Sequence, residues 1–246
     1  MGSFRHFWIV LLGLFAFVAA VAWIIVSPPG PRPPDINFLA SNAHFAVAGQ
    51  HIVVPIVALR GPDHVFDLGG RQTRSFADQI RQAARNPAKP MPMDHVDFLI
   101  HEYRYTGEHL ASVGICPRLT RRWSQALCRG EHKGLLRRLP ERFNLFDRSK
   151  LDLLKSYGTV GGERQYDQIR NMVYPDRVGM GCDRTTKFCT AVIEAQPGVV
   201  AVWTVWSHEQ TGTTPQQMAD AQGPAIVQFV RRAIGEVEDP TLLDAE

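Results

Sequence analysis

The chain has 246 residues and a mass of 27.6 kDa, and is 45% hydrophobic, 21% charged and 9% aromatic, with a formal net charge of +3. Fractions this ordinary exclude a collagenous, coiled-coil or largely disordered chain. A mean hydropathy of −0.14 with only one bilayer-length apolar run excludes a polytopic membrane protein, and so small a charge names no partner.

Phe7–Val26 is a run of twenty apolar residues without a charge. At about 1.5 Å per residue it makes about 30 Å of helix, the thickness of a bilayer's hydrocarbon core. Trp8 and Trp23 fall near its two ends, where aromatic belts form. Ala20-Val21-Ala22 matches a signal-peptide cleavage pattern, but Trp23-Ile24-Ile25-Val26 carry the apolar run past it, which favours an uncleaved anchor. Arg5, His6 and the terminal amine precede the run, and the nearest cation after it is Arg32, so residues 1–6 are expected to be cytoplasmic and the rest outside. Residues 27–36 follow as a stalk. Five prolines between Ser27 and Pro34 cannot continue a helix and favour an extended spacer.

Residues 37–236 are expected to form one α+β domain with a single, mainly antiparallel sheet and a few packed helices, followed by an acidic tail over 237–246. Phe45–Leu59 reads as two strands joined by a tight turn at Gly49-Gln50, with Pro55 marking an edge or an end. Ser75–Arg85 reads as a short helix capped by Ser75 and stopped by Asn86-Pro87. Val96–Tyr105 alternates like a strand, with Val96, Phe98 and Ile100 on one face and Asp97, Leu99 and His101 on the other. Residues 149–156 suggest a helical turn. Three further strands are expected over Tyr166–Tyr174, Lys187–Ala195 and Val199–Trp206, the last two joined by a turn at Gln196-Pro197-Gly198. Thr214 and Gln217 form a capping-box pattern opening a C-terminal helix, which Gly223-Pro224 is expected to kink or divide. The last eleven residues carry five acids and no base, which predicts a frayed, solvated end.

The four cysteines, at 116, 128, 182 and 189, suit an oxidising compartment. Short separation favours the pairs Cys116–Cys128 and Cys182–Cys189, each contributing about 2–3 kcal/mol. Neither spacing fits a zinc knuckle, and there is no Cys-x-x-Cys pair for redox catalysis. No cofactor is expected.

Four clusters bear on function. His95, Asp97, His101, Glu102, Glu108 and His109 are the densest set of potential ligands; His95, Asp97 and His101 would share one strand face, so a metal or an acid–base pair is conceivable there, and a hydrogen-bonded sheet face shows the same alternation. Ser207-His208-Glu209 holds triad residue types, but consecutive residues cannot converge into a triad and no G-x-S-x-G elbow is present. The glycine-rich stretch at 158–162 lacks the Lys-Ser/Thr of a phosphate loop. Between Pro117 and Arg142 lie eight cations, Arg118, Arg121, Arg122, Arg129, Lys133, Arg137, Arg138 and Arg142, against two glutamates. This stretch is either an anion-attracting surface or a solvated face partly neutralised by the acidic tail. Trp203 and Trp206, three apart on one strand, point to opposite faces, one into the core and the other a candidate interface anchor.

Anchor, proline-rich stalk and one disulfide-stapled α+β domain together resemble the plan of many bacterial inner-membrane proteins with a periplasmic binding role. That resemblance covers architecture and carries no site residue. It implies a membrane-anchored, non-enzymatic periplasmic protein that binds a protein partner, as an immunity or inhibitor protein or an accessory subunit of an envelope complex. The binding residues would come from Arg118, Arg121, Arg122, Arg137, Arg138, Trp203 and Trp206. Nucleic acid is not expected as a partner outside the cytoplasm. The alternatives are an envelope hydrolase or metal-dependent enzyme using the His95–His109 cluster, and a binder of anionic glycan or lipid.

Overall fold

A computed structural model of the chain describes residues 13, 14, 17, 35–59, 71–100, 114–155, 163–183, 188–206 and 212–243. The chain divides into two compact units, residues 1–34 and residues 35–246. In the first, Gly13, Leu14 and Phe17 are helical; the rest of the expected anchor and the stalk up to Pro34 lie outside the described residues. Among the described residues no helix is long and apolar enough to cross a membrane.

The second unit is α+β, with two sheets where the sequence suggests one. Helix α1 (Ile36–Ala40) starts at Asp35, whose Oδ1 accepts the Asn37 and Phe38 amides at 3.0 and 3.3 Å. Strands β1 (Asn42–Val47) and β2 (Gln50–Pro55) form an antiparallel hairpin. Its turn is Ala48-Gly49, one residue earlier than expected, with φ of +49° and +76°. Two successive left-handed residues give a two-residue turn the twist of its flanking strands. Pro55 ends β2 as expected, and a 3₁₀ turn over Ile56–Ala58 follows. Helix α2 (Arg71–Arg85) packs on β1 with Ile80 and Ala83 buried. It begins before the expected cap, leaving Ser75 inside the helix. The two-residue β3 (Met91–Pro92) pairs parallel to β1 and completes a sheet of order β2-β1-β3.

The larger sheet is wholly antiparallel, in the order β4 (His95–Leu99), β5 (Arg142–Asp147), β8 (Val199–Trp206), β7 (Phe188–Gln196) and β6 (Gly179–Cys182). Alternation sends Phe98, Phe143, Leu145, Ala201, Trp203, Ala191 and Ile193 to one face, where they join the main core with the hairpin's Phe45 and Val54. Helix α6 (Pro215–Arg232) covers this face over β7 and β8. It opens with the expected Thr214–Gln217 capping box. It runs unbroken through Gly223-Pro224 because Pro224 and Asp220 lie on its exposed side. On an exposed side, a carbonyl that loses its amide partner to proline stays open to solvent. On the opposite face, Phe146, Val192, Val200 and Val202 are covered by a 3₁₀ stretch (Arg148–Lys155) and by helix α5 (Glu163–Ile169).

Helix α5 corrects the strand expected over Tyr166–Tyr174. Tyr166, Ile169 and Val173 are the buried apolar positions. Tyr166 and Ile169, three apart, share the helix's buried face where a strand would have split them between two faces, and Val173 lies past the helix's end. β4 stops at Leu99, Ile100 is a buried bend, and residues 101–105 of the expected strand lie outside the described residues.

Candidate interaction surface

The basic segment folds into two short helices, α3 (Arg122–Cys128) and α4 (Gly134–Arg138), between a 3₁₀ turn at Cys116–Arg118 and β5. The expected disulfides are present: Cys116 and Cys128 tie the turn to the end of α3, and Cys182 and Cys189 join opposed residues of β6 and β7. Arg121, the residue before α3, supplies no side-chain cap to its first turn. That cap comes from far along the chain, where the Glu238 carboxylate accepts the Arg122 and Trp123 amides at 2.9 and 3.0 Å. A negative charge there also complements the helix dipole.

Folding sorts the eight cations into two groups. Arg121 turns inward, 7% exposed, and donates to the Gly235 and Glu236 carbonyls at 2.9 and 3.3 Å. Burial lowers its pKa and the Glu238 charge opposes that effect, but a guanidinium keeps its proton regardless. Arg122 donates to the Pro240 carbonyl, Arg118 to Asn37 Oδ1 at 2.6 Å, and Arg129 pairs with Glu131 at 2.7 Å. The second group is Lys133, Arg137, Arg138 and Arg142, all exposed. Leu135 and Leu136 hold α4 against the core, leaving Arg137 and Arg138 in its last turn on the solvent side. Among the described residues no carboxylate forms an ion pair with any of these four.

The two tryptophans divide as their spacing predicts. Trp203 is 1% exposed under α6 and donates from Nε1 to Gln222 Oε1 at 2.9 Å. Trp206 is 56% exposed at the end of β8, with Phe188 edge-on to it at 4.7 Å between ring centroids.

In the ligand-rich cluster, His95 and Asp97 lie half-buried on the same face of β4. The His95 ring stacks on Phe146 with centroids 5.2 Å apart. Burial lowers its pKa, against the opposing charges of Asp97 and Asp94. His101, Glu102, Glu108 and His109 lie outside the described residues, as do Ser207-His208-Glu209 and residues 158–162. Among the described residues no group of three His, Cys, Asp or Glu side chains is placed to hold a metal.

The sequence reading missed two features. His44 and His51 are brought together across the β1–β2 hairpin, with His44 Nδ1 3.2 Å from His51 Nε2. The only sequence signal is hairpin register, which makes them diagonal neighbours on one face once the turn is fixed at Ala48-Gly49. The second is the acidic end, expected to be frayed. Through Leu243 it is instead a packed strap. Besides the Glu238 cap, Asp239 pairs with Arg232 at 2.7 Å, Leu242 is buried in the main core, and the Ile234 carbonyl accepts the Val53 amide of edge strand β2 at 2.7 Å. The Arg232 hydrogen bond, followed by those from Thr241, holds the Asp239 carboxyl at about 2.

No family model matches this chain, and no curated protein or solved structure matches it.

Proposed function

We propose that this chain is a single-pass protein of the bacterial inner membrane, anchored by residues 7–26, whose periplasmic α+β domain binds a protein partner as an immunity or inhibitor protein or an envelope-complex accessory subunit. The observation that carries this reading is the sorting of the basic segment. Arg121 is buried against the strap and Arg118, Arg122 and Arg129 are engaged by protein oxygens, while Lys133 before α4, Arg137 and Arg138 in its last turn and Arg142 at the start of β5 are exposed with no ion-pairing carboxylate among the described residues. Such a surface favours an acidic partner and accelerates its encounter. Trp206 offers a second, aromatic contact of the kind that dominates interface energetics. The two disulfides fit an oxidising compartment.

Crosslinking of the tagged full-length protein in intact cells, followed by affinity purification and mass spectrometry, tests the reading. One stoichiometric extracytoplasmic partner is expected, captured by the wild type and lost from an Arg137→Glu/Arg138→Glu variant that keeps its melting temperature. No reproducible partner, or one held equally by the charge-reversed variant, would overturn it. Retention only on anionic vesicles or polysaccharide would assign the surface to those ligands instead.

A further inference from the structure

Helix α2 opens a second basic stretch of the chain. Between Arg71 and Lys89 lie five cations, Arg71, Arg74, Arg81, Arg85 and Lys89, against one acid, Asp78. Arg71, Arg74, Asp78, Arg81 and Arg85 recur at intervals of three and four, so they fall along one stripe of the helix. The buried Ile80 and Ala83 lie off that stripe. A cleft of about 370 Å³ between α1 and α2 is lined by Asp35, Phe38, Ser41, Arg81, Ala84 and Arg85. Asp78 and Phe38 fix Arg81 there, by an ion pair of 2.8 Å and with the guanidinium carbon 5.9 Å from the ring centroid. The Asp35 carboxylate is taken up by the first amides of α1. Arg85 and Lys89 are exposed and form no ion pair among the described residues.

We propose that the arginine stripe of α2 and the cleft beside it dock the domain on the anionic phospholipid headgroups of the membrane that holds its anchor, with Arg81 and Arg85 taking headgroup phosphates. The proposal rests on the reading of residues 7–26 as that anchor. Asp35, at the rim of the cleft, is then where the tether joins the domain, and only Ser27–Asp35 separates the two. Fully extended at about 3.3 Å per residue, that segment reaches about 30 Å, so the cleft never lies farther than this from the bilayer. Charge selects the occupant. The stretch keeps an excess of positive charge even when Asp35 is counted with Asp78, and each cation close to an anionic leaflet favours association by about fivefold. A guanidinium also presents paired N–H donors that match the oxygens of a phosphodiester. Because the tether prevents the domain from diffusing away, headgroup contacts too weak to recruit a free protein suffice to hold it down.

Photo-crosslinking from α2 tests the docking. The full-length protein carries a p-benzoylphenylalanine in place of Gln82, which is exposed and lies beside Arg85, three residues on. It is reconstituted in vesicles of phosphatidylcholine alone or mixed with phosphatidylglycerol. Lipid adducts at position 82 are expected to be more abundant in the anionic vesicles by about fivefold or more. An Arg81→Glu/Arg85→Glu variant that keeps its melting temperature should bring them down to the level in neutral vesicles. If that variant does not fold, raising salt from about 0.05 M to about 1 M, where charges are screened beyond about 3 Å, should do the same to the chain with both arginines. Resistance to alkaline carbonate extraction, read on the same vesicles, reports the anchor by itself. With the protein still held, three results would overturn the docking and leave the anchor reading standing: equal adducts in both kinds of vesicle, adducts kept by the folded variant or at high salt, or adducts to a second copy of the chain instead of lipid. Extraction from both kinds of vesicle would overturn the anchor reading and the docking with it.

Discussion

Arg121 and Arg137 have the same side chain and opposite fates. The first is buried against two strap carbonyls, and the second is exposed on the last turn of α4. Nothing local to either arginine separates them, because the groups that receive Arg121 come from the far end of the chain. The tryptophans differ for a reason the sequence does contain: three residues apart on a strand means opposite faces. Trp203 is buried under α6 in the main core and bonded to Gln222. Trp203→Ala is therefore expected to destabilise the domain by about 3–5 kcal/mol, and Trp206→Ala, at an exposed site, by less than about 1 kcal/mol. Parallel urea melts of the two variants check the contrast, and equal losses would contradict the opposed placement.

At the scale of elements, hairpins and caps follow their local chemistry closely. The β1–β2 and β7–β8 hairpins, the Thr214 capping box and the stop at Pro55 all depend on residues within a few positions of one another. Elements whose state depends on what covers them were harder to read. The segment around Tyr166 is expected to be a strand, but Tyr166 and Ile169, three apart, pack together against the large sheet, which suits a helix. β6 shows the same dependence at a single residue. An added Cβ at Gly179 would fall on the carbonyl oxygen and Cβ of Met172, so the chain after α5 approaches that edge as closely as a missing side chain allows. Gly179→Ala is expected to cost about 1–3 kcal/mol as an overpacked site with backbone in the way, read as a lower melting temperature. A melting temperature equal to wild type would show that the approach relaxes freely.

Across the whole of residues 35–246, two short disulfides, one shared core and a returning C-terminal strap tie distant parts together. Opening both disulfides is expected to remove about 2–3 kcal/mol each. At about 2–4 °C per kcal/mol for a domain this size, calorimetry with reductant should show a melting temperature lower by about 10–20 °C. An unchanged melting temperature would mean that the core alone sets stability. Of the candidate site, the cationic composition of 118–142 was legible in the sequence, but which of its cations are engaged by protein oxygens, with Arg121 alone buried, was not. The sequence by itself determined the strand alternation, the tight turns, the C-terminal helix with its cap, and the cysteine pairing, because each rests on residues close together along the chain. Only the tertiary structure decided that there are two sheets, that the stretch around Tyr166 is helical, that the acidic end is a strap, and that His44 faces His51 beside Arg121. Each of these depends on surfaces that meet only after folding, and on partners as far apart in sequence as Arg121 and Gly235.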